Sequence, residues 1–109
     1  MDEQRKAKIE ERVKEIVAAF IERESNKTAL ITVTRVELLE RGRAATIYLS
    51  VLPESGEDSA LNFLKRKRIE MKQALKKQLN MRTIPFLDVE IDTGEKARNN
   101  IEALLNQDN

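Results

Sequence analysis

The 109-residue sequence predicts an α+β domain in which a three-stranded mixed sheet carries its helices on one face. Three observations predict it. Apolar residues recur at helical spacing in residues 2–24 and again in residues 60–80. Two β-rich runs, 30–39 and 45–51, are joined by a short polar turn, as in an antiparallel hairpin. A third alternating run, 86–92, follows the long helical crossover, which makes it parallel to the second strand by the right-handed rule. The expected order is α-β-β-α-β-α, with the central helix kinked or split.

The first helix spans Asp2 to about Glu24. Ile9, Val13, Ile16, Val17, Phe20 and Ile21 form one apolar stripe, and Glu, Lys, Arg and Ala fill the other positions. Ser25-Asn26-Lys27 is the stop, because Ser and Asn side chains compete for backbone hydrogen bonds. In the first strand, Ile31 and Val33 share one face, whereas Val36 and Leu38 resume one residue out of phase. That slip predicts a bulge near Thr34-Arg35. Glu40-Arg41-Gly42-Arg43 is the hairpin connection, with Gly42 free to take positive φ. Ala45, Ile47, Leu49 and Val51 then alternate against Thr46, Tyr48 and Ser50, so the second strand buries one face and leaves the other open.

Pro53 ends that strand, and residues 54–59 lead into a helix with acids near its positive end. Leu61, Leu64, Met71, Leu75 and Leu79 form its stripe. Ile69 lies off the line, which predicts a kink or phase change between Lys65 and Ile69. Pro85 bars continuation, and Leu87, Val89 and Ile91 alternate with Asp88, Glu90 and Asp92 in the third strand. A last helix opens at Thr93-Gly94-Glu95 and carries Ala97, Ile101, Leu104 and Leu105. Residues 1–105 are expected to form a single domain and 106–109 a frayed tail.

Composition narrows the chemistry. There is no Cys and no His, which excludes disulfides, thiolate chemistry, Cys/His zinc sites and His-based proton transfer. No apolar run approaches the ~18 residues of a membrane span, and MDEQRKAKIEE has no apolar core for a secretory signal, so a cytoplasmic location is expected. Gly42, Gly56 and Gly94 are isolated, leaving no phosphate-binding loop, dinucleotide fingerprint or GXXG clamp. No cofactor and no catalytic cluster is indicated. Asp88, Glu90 and Asp92 share one strand face, but their Cβ atoms are ~7 Å apart, too far for compact chelation. An acidic edge strand that discourages aggregation explains them better.

The net charge of +1 conceals segregation. Residues 54–85 carry +4 and residues 86–109 carry −4. Between Asn62 and Pro85, Lys65, Arg66, Lys67, Arg68, Lys72, Lys76, Lys77 and Arg82 face the single acid Glu70. Lys65, Lys72 and Lys76 are spaced to share one side of a helix, with Arg68 nearby. So one-sided a run attracts phosphates through counterion release. Arg41 and Arg43 add a smaller patch at the hairpin. Tyr48, on the polar phase of the second strand, is a candidate for stacking a base, although packing is the commoner role.

Beyond these patterns, the chain resembles the ribosome-binding factor A family. The resemblance runs through KIEERVKEIVAAFIE, ITVTRVEL, AATIYLSVL and MKQALKKQLNMRTIPFLDVEID, where Met81-Arg82-Thr83-Ile84-Pro85 is similar to the family's leucine-arginine-x-x-proline segment. It implies a type II K-homology fold without the GXXG loop, and binding to 16S ribosomal RNA on the immature small (30S) subunit. The partners so implied are small-subunit ribosomal RNA and the 30S particle, with no membrane and no small-molecule substrate, and the chain acts as a monomer. The sequence reads as a divergent member. The family's alanine-x-glycine kink falls at Lys67-Arg68-Ile69, where β-branched Ile69 favours a continuous or differently kinked helix. Lys72 stands where many members have arginine, and Leu38-Leu39-Glu40 where serine and aspartate are usual.

Two functions follow. The first is a non-enzymatic, RNA-binding assembly factor whose basic residues contact phosphates. The second is an interaction module that docks its basic helix on an acidic protein partner without binding RNA.

Overall fold

The computed structural model describes residues 2–94. Its elements are α1 (Glu3–Glu24), β1 (Leu30–Leu39), β2 (Ala44–Leu52), α2 (Glu57–Arg66), α3 (Arg68–Gln78) and β3 (Phe86–Ile91). The sheet order is β1-β2-β3, antiparallel between β1 and β2 and parallel between β2 and β3. The helix expected from Thr93 onward lies outside the described residues beyond Gly94.

Local chemistry sets the ends of α1. Asp2 is its N-cap and accepts the Arg5 backbone N–H at 2.8 Å. Past the C-terminus, Ser25 Oγ accepts from Lys27 N at 3.2 Å and Asn26 Oδ1 from Thr28 N at 3.1 Å, so the turn residues take over the backbone donors. Val13, Ile16, Val17, Phe20 and Ile21 are buried against β1 and α3, and Ile9 packs at the margin. Glu10 accepts the Leu38 backbone N–H at 2.9 Å, which satisfies a donor on the outer edge of β1.

The expected bulge is present. The β1–β2 register pairs Val33 with Leu49 and then Arg35 with Tyr48, leaving Thr34 as the extra residue. Its effect is a change of parity. Val33 is buried before it, and Val36 and Leu38 after it. The hairpin closes through a 3-10 turn, Glu40–Gly42, in which Glu40, Arg41 and Gly42 all have positive φ (52°, 58° and 88°). Glycine at the last position removes the Cβ clash from the most extreme of the three.

The central crossover is split by a single residue. Lys67, at φ −94° and ψ 9°, separates α2 from α3, and its N–H reaches both Phe63 O (3.1 Å) and Leu64 O (3.2 Å). That conformation has negative φ, so it needs no glycine. Ile69 therefore does not keep the helix continuous. It sits in the first turn of α3 and is 73% exposed. Leu64, Met71 and Leu75 are buried and Leu61 and Leu79 partly so, in one cluster with Ile47, Leu49, Leu87 and Val89. α2 packs on β2 and β3, and α3 packs on β3 and α1.

The other sheet face is less open than the alternation suggests. Thr46 is buried between its register neighbours Glu37 and Asp88, and Arg35 lies across Tyr48. Truncation should separate core from surface. Leu64→Ala is expected to cost about 2–5 kcal/mol in urea unfolding, and Ile69→Ala less than about 0.5 kcal/mol.

Candidate functional site

The basic residues gather around the helix break, and the split changes how they are grouped. Lys65 and Arg66 end α2, Lys67 is the break itself, and Arg68, Lys72, Lys76 and Lys77 belong to α3. Lys65 consequently does not share one side of a continuous helix with Lys72 and Lys76, because the seven-residue spacing between Lys65 and Lys72 crosses the break. Within α3, Arg68, Lys72 and Lys76 retain four-residue spacing along one flank of the buried Met71–Leu75 face. Arg82 is exposed in the connection to β3.

Two members of the cluster have partners. Lys67 Nζ is 3.4 Å from Glu70, and Arg68 is 3.5 Å from Asp88 on β3. Among the described residues, Lys65, Arg66, Lys72, Lys76, Lys77 and Arg82 take part in no ion pair, and neither do Arg41 and Arg43. Uncompensated cations of this kind are the electrostatic footprint of a polyanion surface.

The hairpin joins the same end of the molecule. Phe86 N–H donates to Arg43 O at 2.8 Å, and the Phe86 ring lies under the Arg68 guanidinium, 4.7 Å from its centroid. Arg41 and Arg43, remote in sequence from the crossover, are thereby brought to the start of α3. Arg66 instead borders a cleft of about 430 Å³ between α2, Pro53 and the turn after α1.

Two features escaped the sequence reading. Arg5, Lys8 and Arg12 on α1 line a shallow cleft of about 260 Å³ together with Gln78, Asn80 and Met81. Arg12 also reaches Gln78 Oε1 at 3.5 Å. The basic surface of α3 thus continues onto a helix whose own charges sum to zero. The spacing 5, 8, 12 was the available signal. Phe86 is 56% exposed, and the signal there was that it shares strand parity with Asp88 and Glu90 rather than with Leu87 and Val89.

Contacts on the second sheet face decide between the two roles open to Tyr48 and correct the picture of β3. Tyr48 does not present a free ring: the Arg35 guanidinium lies 3.7 Å from its centroid, and its hydroxyl is 3.5 Å from Glu37 Oε2. The carboxylates of β3 do not form an exposed ladder, because Asp92 is buried. It accepts the Thr34 hydroxyl at 2.6 Å and faces Arg35 Nε at 3.6 Å. Among the described residues, no group of three or more carboxylates converges to hold a metal ion, and no helix is long and apolar enough to cross a membrane.

Helices on one face of this αββααβ core, with a short break in the crossover and no glycine clamp, define a K-homology-like domain carrying a basic surface. The ribosome-binding factor A family model matches residues 5–105, and the chain belongs to that family. A ribosome-binding factor A from Bdellovibrio bacteriovorus is 29% identical over 97% of this chain and 81% of its own length. The crystal structure of ribosome-binding factor A from Thermus thermophilus superposes with a TM-score of 0.72 at 29% identity, covering 79% of this chain and 93% of that one. A homology model of the Thermus thermophilus protein, fitted into a cryo-EM map of its 30S complex, matches with a TM-score of 0.63 at 26% identity. It covers 74% of this chain and 88% of the other.

The Arg68–Asp88 pair is half exposed and therefore contributes little to stability. Asp88→Asn should shift the unfolding free energy by less than about 0.5 kcal/mol, as measured by urea titration.

Proposed function

We propose that this protein is a non-enzymatic ribosome assembly factor that binds 16S ribosomal RNA on the immature 30S subunit and assists its maturation, as a cytoplasmic monomer. The observation that carries this reading is the excess of basic side chains around the helix break at Lys67, where, among the described residues, only Lys67 and Arg68 of the crossover cations have acidic partners. It is supported by membership of the family and by the 30S complex of the Thermus thermophilus relative. Lys65, Arg66, Lys67, Arg68, Lys72, Lys76, Lys77 and Arg82 contact phosphates, with Arg41 and Arg43 extending the contact at the hairpin. Such contacts set position rather than read bases, so selectivity comes from the shape of the maturing RNA. Docking on an acidic protein instead is the competing role for the same surface. The intrachain engagement of Asp88 and Asp92 leaves little of the acidic strand to pair a second copy head to tail.

Sedimentation through sucrose gradients with immature 30S particles tests the proposal. The wild-type protein is expected to travel with the particles at low salt and dissociate as salt rises. Lys67→Glu combined with Arg68→Glu should abolish co-sedimentation while leaving the circular dichroism spectrum unchanged. In titrations against purified ribosomal RNA, each phosphate contact removed should lower the salt slope by roughly 0.7–0.9. Absence of wild-type binding at low salt would overturn the assignment.

A further inference from the structure

We propose that Phe86 and Arg68 form a shelf on which one unpaired base of bound RNA stacks, giving the chain a preference for single-stranded over duplex RNA at this end of the domain. The inference rests on the RNA-binding reading above and adds the conformation of the RNA that is recognised. Phe86 is 56% exposed at the start of an edge strand, on the parity of the acidic residues and outside the core cluster. A large ring held in water in that way is a contact surface in waiting. It is also held in place. Its backbone N–H donates to Arg43 O at 2.8 Å, and its ring carries the Arg68 guanidinium 4.7 Å from the centroid.

Arg68 is itself directed by Asp88 at 3.5 Å, so the guanidinium already lies over one face of the ring before any ligand arrives. The base is received on the outer side of that stacked pair, a surface that half-buried Tyr48 beneath Arg35 does not offer. Guanidinium planes and phenyl rings both stack on bases, and little rotamer freedom remains to be lost. The surroundings suit the rest of a nucleotide: Lys67, Arg43 and Arg41 supply cations for the flanking phosphates, and exposed Ile69 follows Arg68 with further apolar surface. An acidic peptide would satisfy the cations but make no use of the planar pair. A base in a duplex keeps its faces covered by its neighbours, so only an unstacked base reaches the shelf.

The chain contains no Trp, so Phe86→Trp installs a unique fluorophore at the shelf. Its emission is expected to be quenched by a short single-stranded oligoadenylate and not by an RNA duplex of equal length. Phe86→Leu, which keeps apolar bulk without a π face, should bind the single strand roughly tenfold more weakly than wild type, with duplex affinity unchanged. Arg68→Lys, which keeps the charge and loses the plane, should weaken the same arm. Circular dichroism of each variant checks that the fold is retained. If wild type and Phe86→Leu bind the single strand equally and Phe86→Trp is not quenched, the shelf is refuted while RNA binding stands. If wild type binds neither RNA, the RNA-binding reading fails and the shelf with it. Quenching by polyglutamate but not by RNA would assign the surface to an acidic polypeptide and overturn the proposal.

Discussion

Everything in this domain follows from the need to join two adjacent parallel strands with a crossover that stays over the sheet. As one straight helix, residues 57–78 would run about 33 Å. The six residues of β3 extend about 20 Å. A straight crossover would overrun β3 and carry part of its apolar stripe past that strand. Lys67 resolves the mismatch by leaving helical ψ for one residue. α2 then buries Ala60 and Leu64 over β2 and β3, and α3 buries Met71 and Leu75 while also meeting α1. The same residue that closes the core therefore sets where the cations project. Stability and the candidate interface share one backbone feature.

A second single-residue feature, the bulge at Thr34, arranges the opposite face. Because it changes the parity of β1, Val36 and Leu38 reach the core and Arg35 is turned onto Tyr48. The Thr34 hydroxyl and Arg35 then converge on Asp92, just past the end of β3. A face that alternation alone describes as open is closed at its centre by an arginine, a tyrosine and two carboxylates, Glu37 and Asp92. That leaves the helix break and hairpin, rather than the sheet surface, as the place where exposed cations gather.

Charge is organised by the same logic. Summed along the chain, α1 is neutral, yet Arg5, Lys8 and Arg12 border the end of α3 and prolong its basic surface. Arg41 and Arg43 arrive at the other end through the pairing of β2 with β3 and the bond between Phe86 and Arg43. The surface is thus an assembly of three separate segments around the crossover. Within it Glu70 and Asp88 pair with Lys67 and Arg68 and Glu15 pairs with Arg12, and all three pairs are solvent-exposed.

Much of this was legible in the sequence, because local periodicity records burial directly. The stripe of α1, the clean alternation of β2, the phase slip in β1 and the off-line Ile69 each report which side of an element is dry. From them followed the element order, the bulge, the hairpin and the interrupted crossover. The basic run in residues 65–82 was equally plain. What periodicity could not supply was contact between segments distant in the chain. Arg35 over Tyr48, Asp92 against Thr34, Phe86 beneath Arg68 and α1 cations beside α3 all depend on register and packing between elements. The sequence by itself determined which residues avoid water. Only the tertiary structure decided which exposed side chains meet, because their partners are chosen by the geometry of the assembled core and not by spacing along the chain.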